Sequence, residues 1–113
     1  MLRRHFLIAA CLALSGPSAF ALEGDAQAAR NKTSMCIGCH GIPGYRTSFP
    51  EVYPVPKLGG QHAAYIVRAL QAYRDGERSH PSMRAIATSL SDQDMADLAA
   101  YYSSNPAVAE AAK

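Results

Sequence analysis

The sequence predicts a small all-α fold of three to five helices. Three observations point there. Apolar residues recur at spacings of three and four in two stretches, Ala63-Ile66-Val67-Leu70-Tyr73 and Met95-Leu98-Ala99-Tyr102, and no stretch alternates as a half-buried strand does. A single long segment, Gly41 to Gly60, is rich in proline and glycine. The composition is also poor in large core residues, with no Trp and three Phe among 113 residues. A domain this small needs a staple or a bound group to complete its interior.

The elements follow in chain order. Arg3 and Arg4 form a short basic region, Phe6 to Leu14 is almost wholly apolar, and Ala19-Phe20-Ala21 is a small-x-small cleavage pattern. Together they read as a secretory signal over residues 1–21, too short in its apolar run to span a bilayer. A rival lipoprotein reading of Ile8-Ala9-Ala10-Cys11 leaves only Phe6 to Ala10 as apolar core. Residues 22–105 then form one domain and 106–113 a flexible tail, with no transmembrane segment expected in the mature chain. The first helix runs from about Gly24 through Ala26, Ala28 and Ala29 into Cys36. Pro43, Pro50, Pro54 and Pro56 exclude regular helix and central strand from the segment that follows. A second helix starts near Gln61 and stops at Gly76. A short helix follows Met83. The last begins at Ser91, an N-cap with Asp94 in the capping-box position, and ends at Asn105-Pro106.

The chemistry is concentrated in Cys36-Ile37-Gly38-Cys39-His40. This C-x-x-C-H spacing is the signature of covalent c-type haem attachment. Each thiol can form a thioether to one vinyl group of a single porphyrin, and the histidine that follows can take an axial position on its iron. A thioredoxin-like pair needs a preceding strand, and none is predicted before Cys36. A structural zinc site needs four ligands, which only His62 and His80 could complete. Of the three cysteines, Cys11 leaves with the signal, so no structural disulfide is available. In an oxidising compartment the remaining pair would be exposed to oxidation, and haem attachment consumes both thiols.

Beyond that motif, Pro56-x-Leu58-x-Gly60-Gln61, Tyr65, Leu70, Tyr73, Gly76-x-Arg78, Met83, Leu90-Ser91 and Leu98-Ala99-x-Tyr101 come in a recognisable order. From Gly24 to about Ser104 the chain resembles the class I c-type cytochromes, in particular the small bacterial periplasmic kind related to two-haem forms. The resemblance implies the small cytochrome c fold around one covalently bound haem c. It makes Cys36 and Cys39 the thioether sites, and His40 and Met83 the axial iron ligands. It implies that a proline carbonyl at Pro56 accepts from His40 and that Leu58 packs on the ring. Gln61, Tyr65, Arg68 and Tyr73 are candidates to bond the propionates. The residues alone leave rivals to Met83: His80 lies three positions earlier, while Met35 adjoins Cys36 and Met95 falls on an apolar stripe. The chain departs from the family in having Ala29 where a helix-crossing glycine is usual. The Ile42–Val55 segment is also longer and more aromatic than a minimal cytochrome needs; it is either a loop over one haem edge or a docking surface.

The formal charge of +2 is cancelled when Arg3 and Arg4 are removed. Within the mature chain, eight basic residues from Arg30 to Arg84 stand against Glu51, Asp75 and Glu77, whereas Asp92, Asp94, Asp97 and Glu110 outnumber Lys113 in the rest. That asymmetry suits steering towards acidic redox partners. No basic run or reading motif suggests nucleic acid. The function expected is one-electron transfer in the periplasm, without substrate turnover, by a monomer or by a haem subunit of a larger oxidoreductase. The alternative is a haem enzyme or gas-binding protein with an open sixth iron site.

Overall fold

In the computed structural model, residues 22–104 are described; the expected export signal, the expected Asn105-Pro106 helix stop and the expected tail lie outside them. Among the described residues there are five α-helices: α1 (Ala26–Ala29), α2 (Ser34–His40), α3 (Ala63–Asp75), α4 (Pro81–Thr88) and α5 (Asp92–Ser104). The expected first helix is therefore interrupted. A 3₁₀ turn, Arg30–Lys32, separates α1 from α2. The Thr33 hydroxyl donates to the Arg30 carbonyl at 3.0 Å.

The α5 N-terminus forms as its sequence dictates. The Ser91 N–H donates to Asp94 at 2.9 Å, and the Asp94 N–H donates back to the Ser91 hydroxyl at 3.1 Å. The stripe on α5 is the centre of the core: Met95, Leu98, Ala99 and Tyr102 are buried, with Ala29, Ile66 and Leu90 against them. α1 and α3 both pack on this face, and α4 packs on α3. Ala29 is fully buried. The tightest approach lies just before it, where a Cβ on Gly24 would run into the Ala96 carbonyl. A small residue at each point lets the chain start press against α5.

A polar clamp reinforces that crossing. Asp97, only 2% exposed, accepts from the Asp25 N–H at 2.9 Å, Gln93 Nε2 at 2.9 Å and Lys32 Nζ at 3.0 Å. Burial of this carboxylate is tolerated because both of its oxygens find donors. Lys32 also pairs with Asp94.

α3 is capped by Gly76 in the left-handed conformation, φ +86°, which glycine adopts without steric cost. It begins at Ala63 after His62, two residues later than Gln61. α4 begins at Pro81 and not after Met83: proline occupies the first turn, where its missing N–H costs nothing, and the His80 ring accepts from the Met83 N–H at 3.4 Å. The proline-rich segment holds one short antiparallel pair, β1 (Arg46–Thr47) with β2 (Tyr53–Pro54), in register Arg46 to Pro54 and Thr47 to Tyr53. This pair and its loop leave Phe49, Val52 and Tyr53 exposed.

Candidate haem site

The site is built on α2. Positions 36, 39 and 40 are separated by three and four residues, so helical geometry gathers both thiols and the imidazole on one face. Cys36 is half-buried against the core and Cys39 is exposed. Burial pushes the Cys36 thiol pKa up, an effect that the neighbouring Tyr102 hydroxyl offsets in part. Among the described residues no three His, Cys, Asp or Glu side chains gather as a bare metal ion would require. The zinc alternative thus lacks its ligand set.

His40 is held in one tautomer. Its Nδ1 lies 2.7 Å from the Pro56 carbonyl oxygen. A carbonyl can only accept, so Nδ1 carries the proton and Nε2 is left with its lone pair. Burial lowers the His40 pKa, against the opposing effect of the Pro56 bond. The ring is therefore kept in the neutral form that a metal ligand needs. Pro56 is a stable anchor because its ring fixes its own backbone. The loop beyond it is tied to α5, since the Gly60 N–H donates to the Tyr102 carbonyl at 3.0 Å.

The surroundings fit a large apolar group at this helix. Met35, Ile37 and Ile42 flank the motif and are 41%, 49% and 47% exposed. Leu58, Val67, Leu70 and Ile86 pack on the core yet remain partly exposed. Protein contacts alone leave this apolar surface unfinished, as expected where a cofactor completes the interior.

Met83 is half-buried in the first turn of α4. His80 caps that helix, its ring accepting from the Met83 N–H. Met95 is fully buried in the core. Gln61 and Tyr65 are exposed. Tyr65 and Arg68 line an open groove on α3 with Ala72, Asp75 and Arg78, and Tyr73 carries the Arg78 guanidinium 4.7 Å from its ring centroid. Two of the basic residues expected to steer partners are already neutralised: Lys32 by Asp94 and Asp97, and Arg74 by Asp75 and Asp92. The charge asymmetry read along the chain is thus partly cancelled across the helix interfaces. Tyr102, read from the sequence as part of an apolar stripe, brings a hydroxyl beside Cys36. The signal for it was a phenol on the inward face of a helix.

The cytochrome c family profile matches residues 26–105, with the C-x-x-C-H helix at one end and α5 at the other. The chain belongs to the cytochrome c family. It is 44% identical over 84 residues to cytochrome c-554(548) of Halomonas halodenitrificans, a match covering 72% of this chain and 96% of that protein. It is 41% identical over 81 residues to cytochrome c4 of Pseudomonas aeruginosa, covering 72% of this chain but 38% of that longer protein. A protein of Stutzerimonas stutzeri named thiosulfate dehydrogenase electron acceptor is 34% identical over 105 residues, covering 83% of this chain and 47% of that protein. The chain is a small class I c-type cytochrome related to the dihaem c4 proteins, and spans about two fifths of the c4 length. Its prosthetic group is a covalently bound haem c with its iron, and its work is electron transport.

Proposed function

We propose that this cytochrome is a periplasmic one-electron carrier whose haem is joined to Cys36 and Cys39 and whose iron is held by His40 and Met83. The observation that carries the site assignment is the His40–Pro56 bond of 2.7 Å on the same helix face as both thiols. That bond leaves Nε2 unprotonated, on a helix face that also carries positions 36 and 39. When bound, the haem supplies reversible one-electron cycling of its iron between Fe(III) and Fe(II).

The remaining residues act on that group without reacting. Pro56 fixes the imidazole, Leu58 supplies apolar contact, and Gln61 and Tyr65 are the nearest candidates in the sequence for its polar edge. Met83 is favoured over His80 as the second ligand because His80 is engaged as the α4 cap. Its Nδ1 accepts from the Met83 N–H, which places the proton on Nε2 and withdraws that nitrogen from coordination. A thioether is soft and uncharged, favours the reduced state, and excludes water from the iron. The protein then turns over no substrate of its own. The signal pattern over residues 1–21 supports export, and the name of the S. stutzeri relative supports a dehydrogenase as electron donor.

Intact-mass measurement of the exported holoprotein tests the attachment. The expected mass is that of residues Leu22 to Lys113 plus one haem, unchanged by acid–acetone extraction. Cys36→Ala combined with Cys39→Ala abolishes covalent haem; covalent haem retained in that double variant would refute the assignment.

A further inference from the structure

Tyr102 is 4% exposed, its oxygen is fully enclosed, and it has no hydrogen-bond partner in the structure. A buried O–H without a partner is costly, and native structures leave few of them. The surroundings narrow the choice of partner. Tyr102 belongs to the core cluster, Cys36 packs on that cluster, and each group perturbs the ionisation of the other. Tyr101 stands edge-on to the Tyr102 ring, with centroids 5.2 Å apart and planes at 88°. The ring's backbone is held by the Gly60 bond to its carbonyl. The phenol is thus fixed beside a sulfur and shielded from water. Desolvation pushes its pKa up, so it stays a donor at every ordinary pH.

We propose that Tyr102 donates its O–H to the sulfur of Cys36 once that sulfur is a thioether, making it a positioning residue for the haem linkage. This rests on Cys36 bearing one of the two thioethers. A thioether sulfur has no proton and can only accept. Attachment therefore resolves the orphaned hydroxyl: the free thiol competes as a donor, whereas the thioether leaves O–H to S as the one satisfying arrangement. The bond holds the Cys36 side chain in one orientation. It also withdraws electron density from a substituent of the porphyrin, which disfavours the oxidised iron. Hydrogen bonding around a redox centre is one of the protein's means of setting potential. The inward position itself needs only an apolar ring, which Phe would supply; the hydroxyl is what calls for a separate explanation.

The test uses the holoprotein. In the reduced, diamagnetic state, proton NMR of the wild type is expected to show a slowly exchanging Tyr102 hydroxyl proton with cross-relaxation to the Cys36 β-protons. Tyr102→Phe is expected to retain one covalent haem and the wild-type axial ligation, and to lower the midpoint potential. A packing role alone would change stability and leave the potential in place. The proposal is overturned if the hydroxyl proton exchanges freely or its cross-peaks place it away from Cys36. It is equally overturned if Tyr102→Phe has the wild-type potential. The NMR arm decides the matter even if the variant fails to fold. Peptide mapping of the haem-bearing fragment separates the underlying assignment: haem absent from Cys36 would sink that assignment, and this inference with it.

Discussion

Asp97→Ala is the perturbation whose cost the structure defines best. The carboxylate is nearly inaccessible and takes donors from Asp25, Gln93 and Lys32. Two of those donors are side chains and can turn to water after truncation. The third is the Asp25 backbone N–H at the N-cap of α1, whose position the helix fixes. An unsatisfied donor of this kind costs about 1–3 kcal/mol, and each hydrogen bond to a charged group contributes about 1.5–3 kcal/mol. With rehydration of Lys32 and Gln93 offsetting much of the second figure, the net loss is about 3 kcal/mol. For a domain of this size that corresponds to a fall of roughly 12–24 °C in melting temperature. Asp97→Asn keeps one acceptor oxygen and is expected to lose about half as much. The assay is reversible denaturation of the holoprotein across pH. The Asp25 N–H, the Gln93 amide and Lys32 hold the Asp97 pKa below its usual value. Its contribution is therefore complete above the unfolded carboxylate pKa of about 3.9, and is lost as pH falls through the lower folded value. The gap between wild type and Asp97→Ala should be widest near neutrality and close in strong acid. A gap below about 0.5 kcal/mol at pH 7, the scale of an ordinary surface substitution, would refute the clamp.

The core and the surface give two further expectations. Met95→Ala should cost about 2–5 kcal/mol, since its side chain is fully buried at the centre of α5, and should leave the haem spectrum unchanged; stopped denaturation curves and an optical scan on one sample check both. Charge reversal at exposed Lys57 or Arg84 should slow electron transfer to an acidic partner more than reversal at Lys113, with rates falling as salt screens charges beyond about 8 Å; stopped-flow kinetics at several ionic strengths would show a flat profile if steering is absent.

Legibility followed the range of the interactions. The α5 cap was readable because Ser91 and Asp94 satisfy one another locally, and the α3 stop because Gly76 alone relaxes a positive φ. The haem motif was readable because its spacing is a helical repeat. What the sequence hid depends on neighbours distant in the chain. The break between α1 and α2 has no local signal, since no proline or glycine lies between Ala26 and Met35. The short helix expected after Met83 starts instead at Pro81, because His80 supplies the cap. The strand pair at Arg46–Thr47 is too short to leave a period. Asp97 resembled one more charge on a solvated face, because its donors, Asp25 and Lys32, lie some seventy residues earlier. Likewise, nothing local distinguishes Tyr102 from an apolar stripe residue.

The central claim, an electron carrier with a closed iron site, turns on the sixth ligand and is tested most directly by optical and near-infrared spectra of the purified holoprotein in both oxidation states. The account predicts low-spin haem throughout, a weak near-infrared methionine-to-iron charge-transfer band in the oxidised form, and no reaction of the reduced form with carbon monoxide. In Met83→Ala that band should vanish, the potential should fall and carbon monoxide should bind. A high-spin wild-type protein that binds carbon monoxide readily would contradict the account and make the chain a haem enzyme or gas-binding protein instead.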